Sequence, residues 1–382
     1  MKVCLWGDIA GALKGKTSGG SELQTALLAK VLAKAGNEVV VIDYETPEDF
    51  VTEEGVKVFG IRNWNNGIKL LRVVTHRLPA LYRALKKQDA DIYYCRMRDF
   101  MHYIVFRASR KVNGKFILAM ASDLDAMDLS QRVKHFYLPN IGYGSGLWLV
   151  FNGFMIELVH PWLLRNADMV FVQHHGQKEI LKMKGIASTL YPNLIEADRF
   201  PEYANRKHRD FVYVGWLDKR KGFSEFFELI NRSPQHTFKI IGPPRDKTGR
   251  FYYNKLKEFP NVQLLGALPH KETLRHIADS RALISTSPME GFPNIFIEAW
   301  AYGVPVLSLY FDPGGIIRRE NLGKVADGDI ILLQKYMEET QYSDEFACRA
   351  RSYVENNHLI NTGKINQTDA LFKILADKER QA

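Results

Sequence analysis

The sequence predicts an α/β fold of two Rossmann-like domains, each built on a parallel sheet. Three observations carry that expectation. Short apolar runs rich in β-branched residues alternate with amphipathic stretches of helical period in both halves of the chain, as in a parallel sheet covered on both faces. The chain opens as strand, glycine-bearing loop, helix and strand over residues 2–44. Its 382 residues, 46% of them hydrophobic, are enough for two cores and long for one.

Residues 2–7 form the first expected strand. Residues 22–36 form a helix with Leu23, Leu27, Leu28, Val31 and Leu32 along one side, and 38–44 a second strand. Between them lies Ser18-Gly19-Gly20-Ser21-Glu22. There is no Gly-x-Gly-x-x-Gly, so a dinucleotide fingerprint is absent. Glycine here still lets a backbone approach a diphosphate or sugar with no Cβ in the way; a plain tight turn is the alternative. A strand at 56–61 precedes a basic amphipathic helix at 69–87, whose Leu70, Val73, Val74, Leu78, Leu81 and Leu85 oppose Lys69, Arg72, Arg83, Lys86 and Lys87. A solvated outer helix is favoured there over a membrane-surface one.

Strands at 90–95 and 115–120 flank a helix at 100–111, and the second runs into Ala121-Ser122-Asp123-Leu124-Asp125. Residues 142–164 are the most apolar stretch. A span needs about 20 apolar residues, so length alone allows one. The interruptions Gly142, Gly144, Gly146, Gly153, Glu157, His160 and Pro161 favour a buried helix, with partial membrane contact as the alternative. A strand at 168–173 leads into a helix ending near Lys184, and the polar run 202–210 marks a boundary. Beyond it, strands are expected at 211–215, 237–241, 262–265, 282–285 and 304–309, and helices at 224–231, 252–259, 271–279 and 293–302. The tail reads as helical over 331–357 and 364–380.

The formal charge of +9 admits nucleic acid, an anionic membrane surface or an anionic substrate as partner. No nucleic-acid motif is present and the basic residues are scattered, which puts nucleic acid last. Cys4, Cys95 and Cys348 are far apart and match no metal-ligand spacing; free thiols in a reducing compartment are expected. The apolar run at the N-terminus is too short for a signal peptide, so a cytoplasmic location is expected.

The stretch Ser287-Pro288-Met289-Glu290-Gly291-Phe292-Pro293-Asn294-Ile295-Phe296-Ile297-Glu298 follows an apolar strand, and proline is tolerated where its helix begins. Glu290 then lies in the loop at a strand's carboxyl end, where open parallel sheets bind ligands, and Glu298 lies on the helix beyond. Free N–H groups at the helix start favour an anionic or hydroxyl-rich ligand, and carboxylates accept from hydroxyls. A capping loop with a solvated helix face is the bland alternative.

Glu-Gly-Phe-Pro-Asn, seven residues between Glu290 and Glu298, and then Ala-Trp-Ala-Tyr-Gly-Val-Pro-Val closely resemble the donor-site signature of retaining, nucleotide-sugar-dependent glycosyltransferases of family 4. The resemblance implies the GT-B architecture, two Rossmann-like domains with a cleft between them. It is strongest over residues 211–222 and 282–317 and weakest over 50–165. Ser18–Glu22 resembles the family's Gly-Gly loop, and 191–196 the Pro-Asn segment that joins its domains. It implies residues 1–192 as the acceptor domain and 193–363 as the donor domain, with a last helix at about 364–382 packing back on the first. Gly215 to Gly222 resembles the family's basic loop, with Lys221-Gly222 matching; Trp216 stands where an arginine is usual, leaving Lys219 or Arg220 to supply that charge. Ser122 or Asp123 stands where many relatives have a histidine, on the acceptor side.

The roles so implied are Lys221, with Arg220 or Lys219, on the diphosphate; Glu298 on the ribose; and Glu290 with the backbone of Gly291, Phe292, Pro293 and Asn294 on the transferred sugar. Lys221 and Glu290 carry catalysis, and Gly19, Gly20 and Gly215 complete the donor site. The substrates implied are a nucleotide-diphosphate sugar and a glycan or lipid-linked acceptor of cell-surface polysaccharide or glycolipid synthesis, with retention of configuration. No cofactor and no metal are expected, since protein cations can neutralise the leaving group; Asp123-Leu124-Asp125 has Asp-x-Asp form but lies in the acceptor domain. Peripheral binding to the inner face of the cytoplasmic membrane is a further expectation. A nucleotide-sugar epimerase, or a non-catalytic binder of anionic polymer or membrane favoured by Trp216, are the alternatives.

Overall fold

The computed structural model describes residues 1–382 except 17–18, 69–70, 135–145, 197–209, 342 and 378–382, and residues 146–151 as backbone alone. The chain divides into two compact units, Met1–Leu194 with Ile360–Ala382, and Ile195–Leu359.

The first unit is built on β1 (Lys2–Trp6), β2 (Glu38–Asp43), β3 (Phe50–Val51), β4 (Lys57–Gly60), β5 (Ile92–Arg96), β6 (Lys115–Ala119), β7 (Met169–Val172) and β8 (Thr189–Leu190). Their order in the sheet is β3-β4-β2-β1-β5-β6-β7-β8. All pairs are parallel except β3 with β4. Strands buried on both faces need apolar residues at every position, and β1 shows why: Val3 and Leu5 enter one core, Cys4 and Trp6 the other. The helix Gly20–Lys34 packs on the Val3 side beside the last helix, Thr362–Asp377. Phe372 of that last helix is fully buried against Phe171, and Asp369 accepts from Asn37 at 2.7 Å.

Two expectations need correction here, and two short strands have no counterpart in the sequence reading. The two-residue β3 and β8 are too short for any periodicity to reveal. In the basic helix, Lys69 and Leu70 lie outside the described residues; Val73–Arg77 winds as a π-helix before the α-helix Leu78–Gln88. Val73, Leu81 and Leu85 are buried but Val74 is exposed, since residues adjacent in a helix point to different sides. Finally, Gly142 and Gly144 lie outside the described residues, and the helix that follows, Gly146–Asn166, is only half-buried. His160, Leu163 and Leu164 face inward, whereas Phe154, Leu158 and Trp162 are 64%, 62% and 41% exposed. The inner face includes Glu157, which accepts from Arg98 at 3.0 Å and also from Arg132. No described helix is long and apolar enough to cross a membrane.

The second unit carries β9 (Phe211–Val214), β10 (Phe238–Ile241), β11 (Val262–Gly266), β12 (Ala282–Ser285), β13 (Val306–Ser308) and β14 (Gly323–Val325), ordered β11-β10-β9-β12-β13-β14 and parallel throughout. Val212 enters one core and Phe211 and Tyr213 the other. The expected helix at 252–259 starts earlier, at Lys247–Leu256, because Asp246 caps it by accepting from the Gly249 N–H at 2.6 Å. The tail helix is broken into Ile330–Glu339 and Asp344–Asn357, capped by Asp329 and Ser343.

Candidate active site

In the second unit the parallel strands end on one edge, and their loops carry the expected donor residues. Phe211–Val214 ends at Gly215; Asp218 then accepts from the Lys221 N–H at 3.0 Å and closes Lys219–Lys221 into a 3₁₀ turn. Gly222 ends that turn at φ +64°, where a Cβ would come within 2.1 Å of the Thr286 carbonyl oxygen; only glycine fits. That close approach clamps the basic loop to the loop after β12. Thr286 Oγ1 donates to the Lys221 carbonyl oxygen at 3.0 Å, and Lys221 Nζ pairs with Glu290 Oε1. The two residues implied as catalytic are 69 positions apart in sequence and in contact in the fold.

The helix Asn294–Ala301 begins after Pro293, one residue later than expected. Its Glu298 is 8% exposed and accepts from His270 Nε2 at 2.8 Å. His270 opens the helix after β11 and has no counterpart in the sequence reading; nothing in its local pattern signals a partner 28 residues on. Phe292 is expected to act through its backbone. Its ring is buried against Trp300 and His358, so only its backbone can face a ligand. Gly291 is buried beside it, and Gly215 lies at the open end of β9 with nothing within 4 Å of its Cβ position. Arg220 pairs with Asp218 at 3.0 Å. Trp216 is 46% exposed and lies under the Arg245 guanidinium, 5.0 Å from its ring centroid.

In the first unit the same edge is acidic. Ser122 and Asp123 are both hydrogen-bonded within their own unit. Ser122 Oγ caps the turn Asp123–Asp125 by accepting from the Leu124 N–H, and Asp123 Oδ1 accepts from His174 Nε2 and Gln177 Nε2, each at 2.9 Å. A histidine thus stands beside the end of β6, but it comes from the end of β7, a neighbour in space that local sequence does not reveal. Asp125 Oδ2 accepts from the Ala121 N–H at 2.7 Å and its Oδ1 lies 3.2 Å from Arg98 Nε, so Asp123-Leu124-Asp125 does not open as a chelating pair. Further along the edge, burial and the nearby Glu45, Asp43 and Glu22 raise Asp8 to about 6, and burial raises Asp99 to about 6. Both surround Tyr44, which stacks on Trp64. Gly19 caps the helix that Gly20 starts.

Residues 195–316 match the family model described as glycosyl transferases group 1. The second unit is a glycosyl transferases group 1 domain. An uncharacterized glycosyltransferase of Methanocaldococcus jannaschii is 26% identical over 190 residues, 44% of this chain and 45% of that protein. The lipopolysaccharide 1,6-galactosyltransferase of Salmonella typhimurium is 29% identical over 160 residues, 39% of this chain and 45% of that protein. The matches therefore span less than half of either relative's own length. Sucrose-phosphate synthase from Thermosynechococcus elongatus superposes with a TM-score of 0.76 over 98% of both chains at 17% identity. HepE of Anabaena, solved in complex with UDP, superposes with a TM-score of 0.65 at 16% identity, over 98% of this chain and 100% of that one. The group 1 domain and its companion together have the GT-B fold, two parallel-sheet Rossmann-like domains.

Proposed function

We propose that this chain is a retaining glycosyltransferase moving a sugar from a nucleotide-diphosphate sugar to a glycan or lipid-linked acceptor of surface polysaccharide or glycolipid synthesis. The contact of Lys221 with Glu290, beside Glu298 at one sheet edge of a glycosyl transferases group 1 domain, carries this reading. A Salmonella relative named for lipopolysaccharide and a fold neighbour solved with UDP support the substrate classes.

In the reaction the bond from the anomeric carbon to the diphosphate oxygen breaks, and the electron pair leaves with the diphosphate. Lys221 meets the growing charge, exchanging its ion pair with Glu290 for the phosphate, while Glu290 turns its acceptor oxygens to the sugar hydroxyls. Glu298, steadied by His270, takes the ribose hydroxyls. The acceptor hydroxyl bonds to the anomeric carbon from the face the diphosphate leaves, and its proton passes to the departing phosphate oxygen. The protein's own cations do the work of a metal. Residues up to Leu194 hold the acceptor, with Ser122 and Asp123 on that side, and Gly19 and Gly20 approach the donor.

The exposed Phe154, Leu158 and Trp162, with Arg165 on the same helix, support reversible binding to the anionic inner face of the cytoplasmic membrane. Each basic residue near such a surface contributes roughly 1 kcal/mol. Co-sedimentation with anionic vesicles should be lost at high salt; no binding at low salt removes the membrane partner.

Incubation with UDP-, GDP-, ADP- and CDP-sugars and an acceptor extract tests the main reading. Transfer with the donor's anomeric configuration kept, unaffected by a chelator, is expected. Isomerised donor with no transfer, or no turnover with any donor, would overturn it.

A further inference from the structure

The cations at the donor edge are not equivalent. Arg220 is tied to Asp218 and Lys221 to Glu290. Arg245 has no carboxylate within ion-pairing distance among the described residues; its guanidinium is held instead over the exposed indole of Trp216. An aromatic face orients a guanidinium but leaves its N–H fork unneutralised, so the group stays available to a planar anion.

The backbone around it is rigid. The loops after β9 and β10 are stitched by Leu217 N–H to the Pro243 carbonyl oxygen at 3.2 Å, Arg245 N–H to the Leu217 carbonyl oxygen at 3.1 Å and Lys219 N–H to Asp246 Oδ2 at 3.0 Å. A Cβ on Gly242 would lie 1.9 Å from the Gly215 carbonyl oxygen, and one on Gly249 1.7 Å from that of Leu217. The two loops therefore lie in close backbone contact, tied by these three hydrogen bonds. Arg245 is therefore fixed beside the basic loop, at the carboxyl edge of the same sheet. A surface arginine kept merely for solubility needs no such anchoring.

We infer that Arg245, oriented by Trp216, is a binding residue for the donor diphosphate, supplying from β10 a guanidinium that the loop after β9 lacks. Trp216 is then a positioning residue rather than the mark of a lost site. The inference rests on the nucleotide-sugar reading above.

Calorimetry with whichever of UDP, GDP, ADP or CDP binds wild type tightest tests it. Arg245→Gln should weaken that nucleotide about ten- to a hundred-fold, the range for charge-assisted hydrogen bonds, with the melting temperature unchanged. It should also flatten the salt dependence of binding, because one fewer cation meets the phosphates. Trp216→Ala should lose part of the affinity and Trp216→Phe recover most of that part, but neither change should matter once Arg245 is Gln. Trp216→Arg in the Arg245→Gln background should restore binding. Wild-type affinity and salt slope in Arg245→Gln would overturn this inference and leave the glycosyltransferase reading intact. Wild type that binds none of the four would sink that reading, and this inference with it.

Discussion

The two units present the same architectural edge, the carboxyl ends of parallel strands, with different chemistry: mixed cations and carboxylates in the second, carboxylates around a tyrosine and a histidine in the first. After β9, β10 and β12 the second unit sets Lys219, Arg220, Lys221 and Arg245 among the carboxylates Asp218, Asp246, Glu290 and Glu298. After β1, β2, β5 and β6 the first unit sets Asp8, Glu45, Asp99 and Asp123 around Tyr44 and His174. One topology, a sheet whose free N–H groups and loop side chains gather at one end, thus carries two different sets of loop charges. Loop side chains make the difference, since strand interiors of both units are apolar.

The largest expected break in that contrast comes from removing its central cation. Lys221→Ala should lower kcat by about 10²–10³, the size of losing one preorganised electrostatic group, with a smaller change in donor affinity. Lys221→Arg should recover only part, because a fork does not place charge as an ammonium does. Single-turnover kinetics give the measurement, and an unaltered kcat removes this lysine from the chemistry.

Next is Glu298→Ala, which on the proposed reading takes away a charged acceptor of ribose hydroxyls and should weaken the nucleoside diphosphate by about 1.5–3 kcal/mol. Calorimetry reads it. An unchanged dissociation constant would leave the glutamate only its contact with His270.

Acid should act on the first unit through a buried histidine pair. Burial holds His102 down to about 3 and His160 to about 4; the charge of His160 adds to the first shift, and Arg98 and Arg132 add to the second. In the unfolded chain both protonate near 6.5. The unfolded state therefore binds more protons between those values. Stability is full above about 6.5 and falls on acidification, by up to about 1.4 kcal/mol per pH unit for each histidine. Urea midpoints from pH 7 to 4 should show this slope, flattened in a His102→Leu, His160→Leu variant; equal slopes would exclude the pair as its source.

The smallest effect sharpens the acidic side. Asp8 keeps its proton in the folded state up to about 6 but loses it near 3.8 when unfolded, so its contribution is lost as pH rises through that window. Asp8→Asn should raise the melting temperature at pH 7 by about 1–2 °C, with no gain at pH 3.5. A fall at pH 7 would mean that the carboxylate is paired rather than crowded.

Legibility followed the range of the interactions involved. The loop from Glu290 to Asn294 announces itself, because a strand, a turn and a proline-led helix are local events. Phe292 was legible as part of that motif but not as a core residue, since its burial depends on Trp300 and His358 arriving from elsewhere. The helix Gly146–Asn166 was readable as a helix, yet which side faces out was not: Glu157 turns inward only because Arg98 and Arg132 lie there.

By itself, then, the sequence determined what short-range physics controls: two alternating α/β halves, the glycines that a left-handed turn demands at Gly222, and a pair of glutamates spaced across a loop and one helical stretch. Only the tertiary structure decided which side chains meet. Lys221 finds Glu290, His174 finds Asp123, His270 finds Glu298 and Arg245 finds Trp216 because parallel strands from distant segments end side by side. Those pairings are set by sheet order, and sheet order comes from burying both faces of each strand at once, a condition that no local stretch of the chain contains.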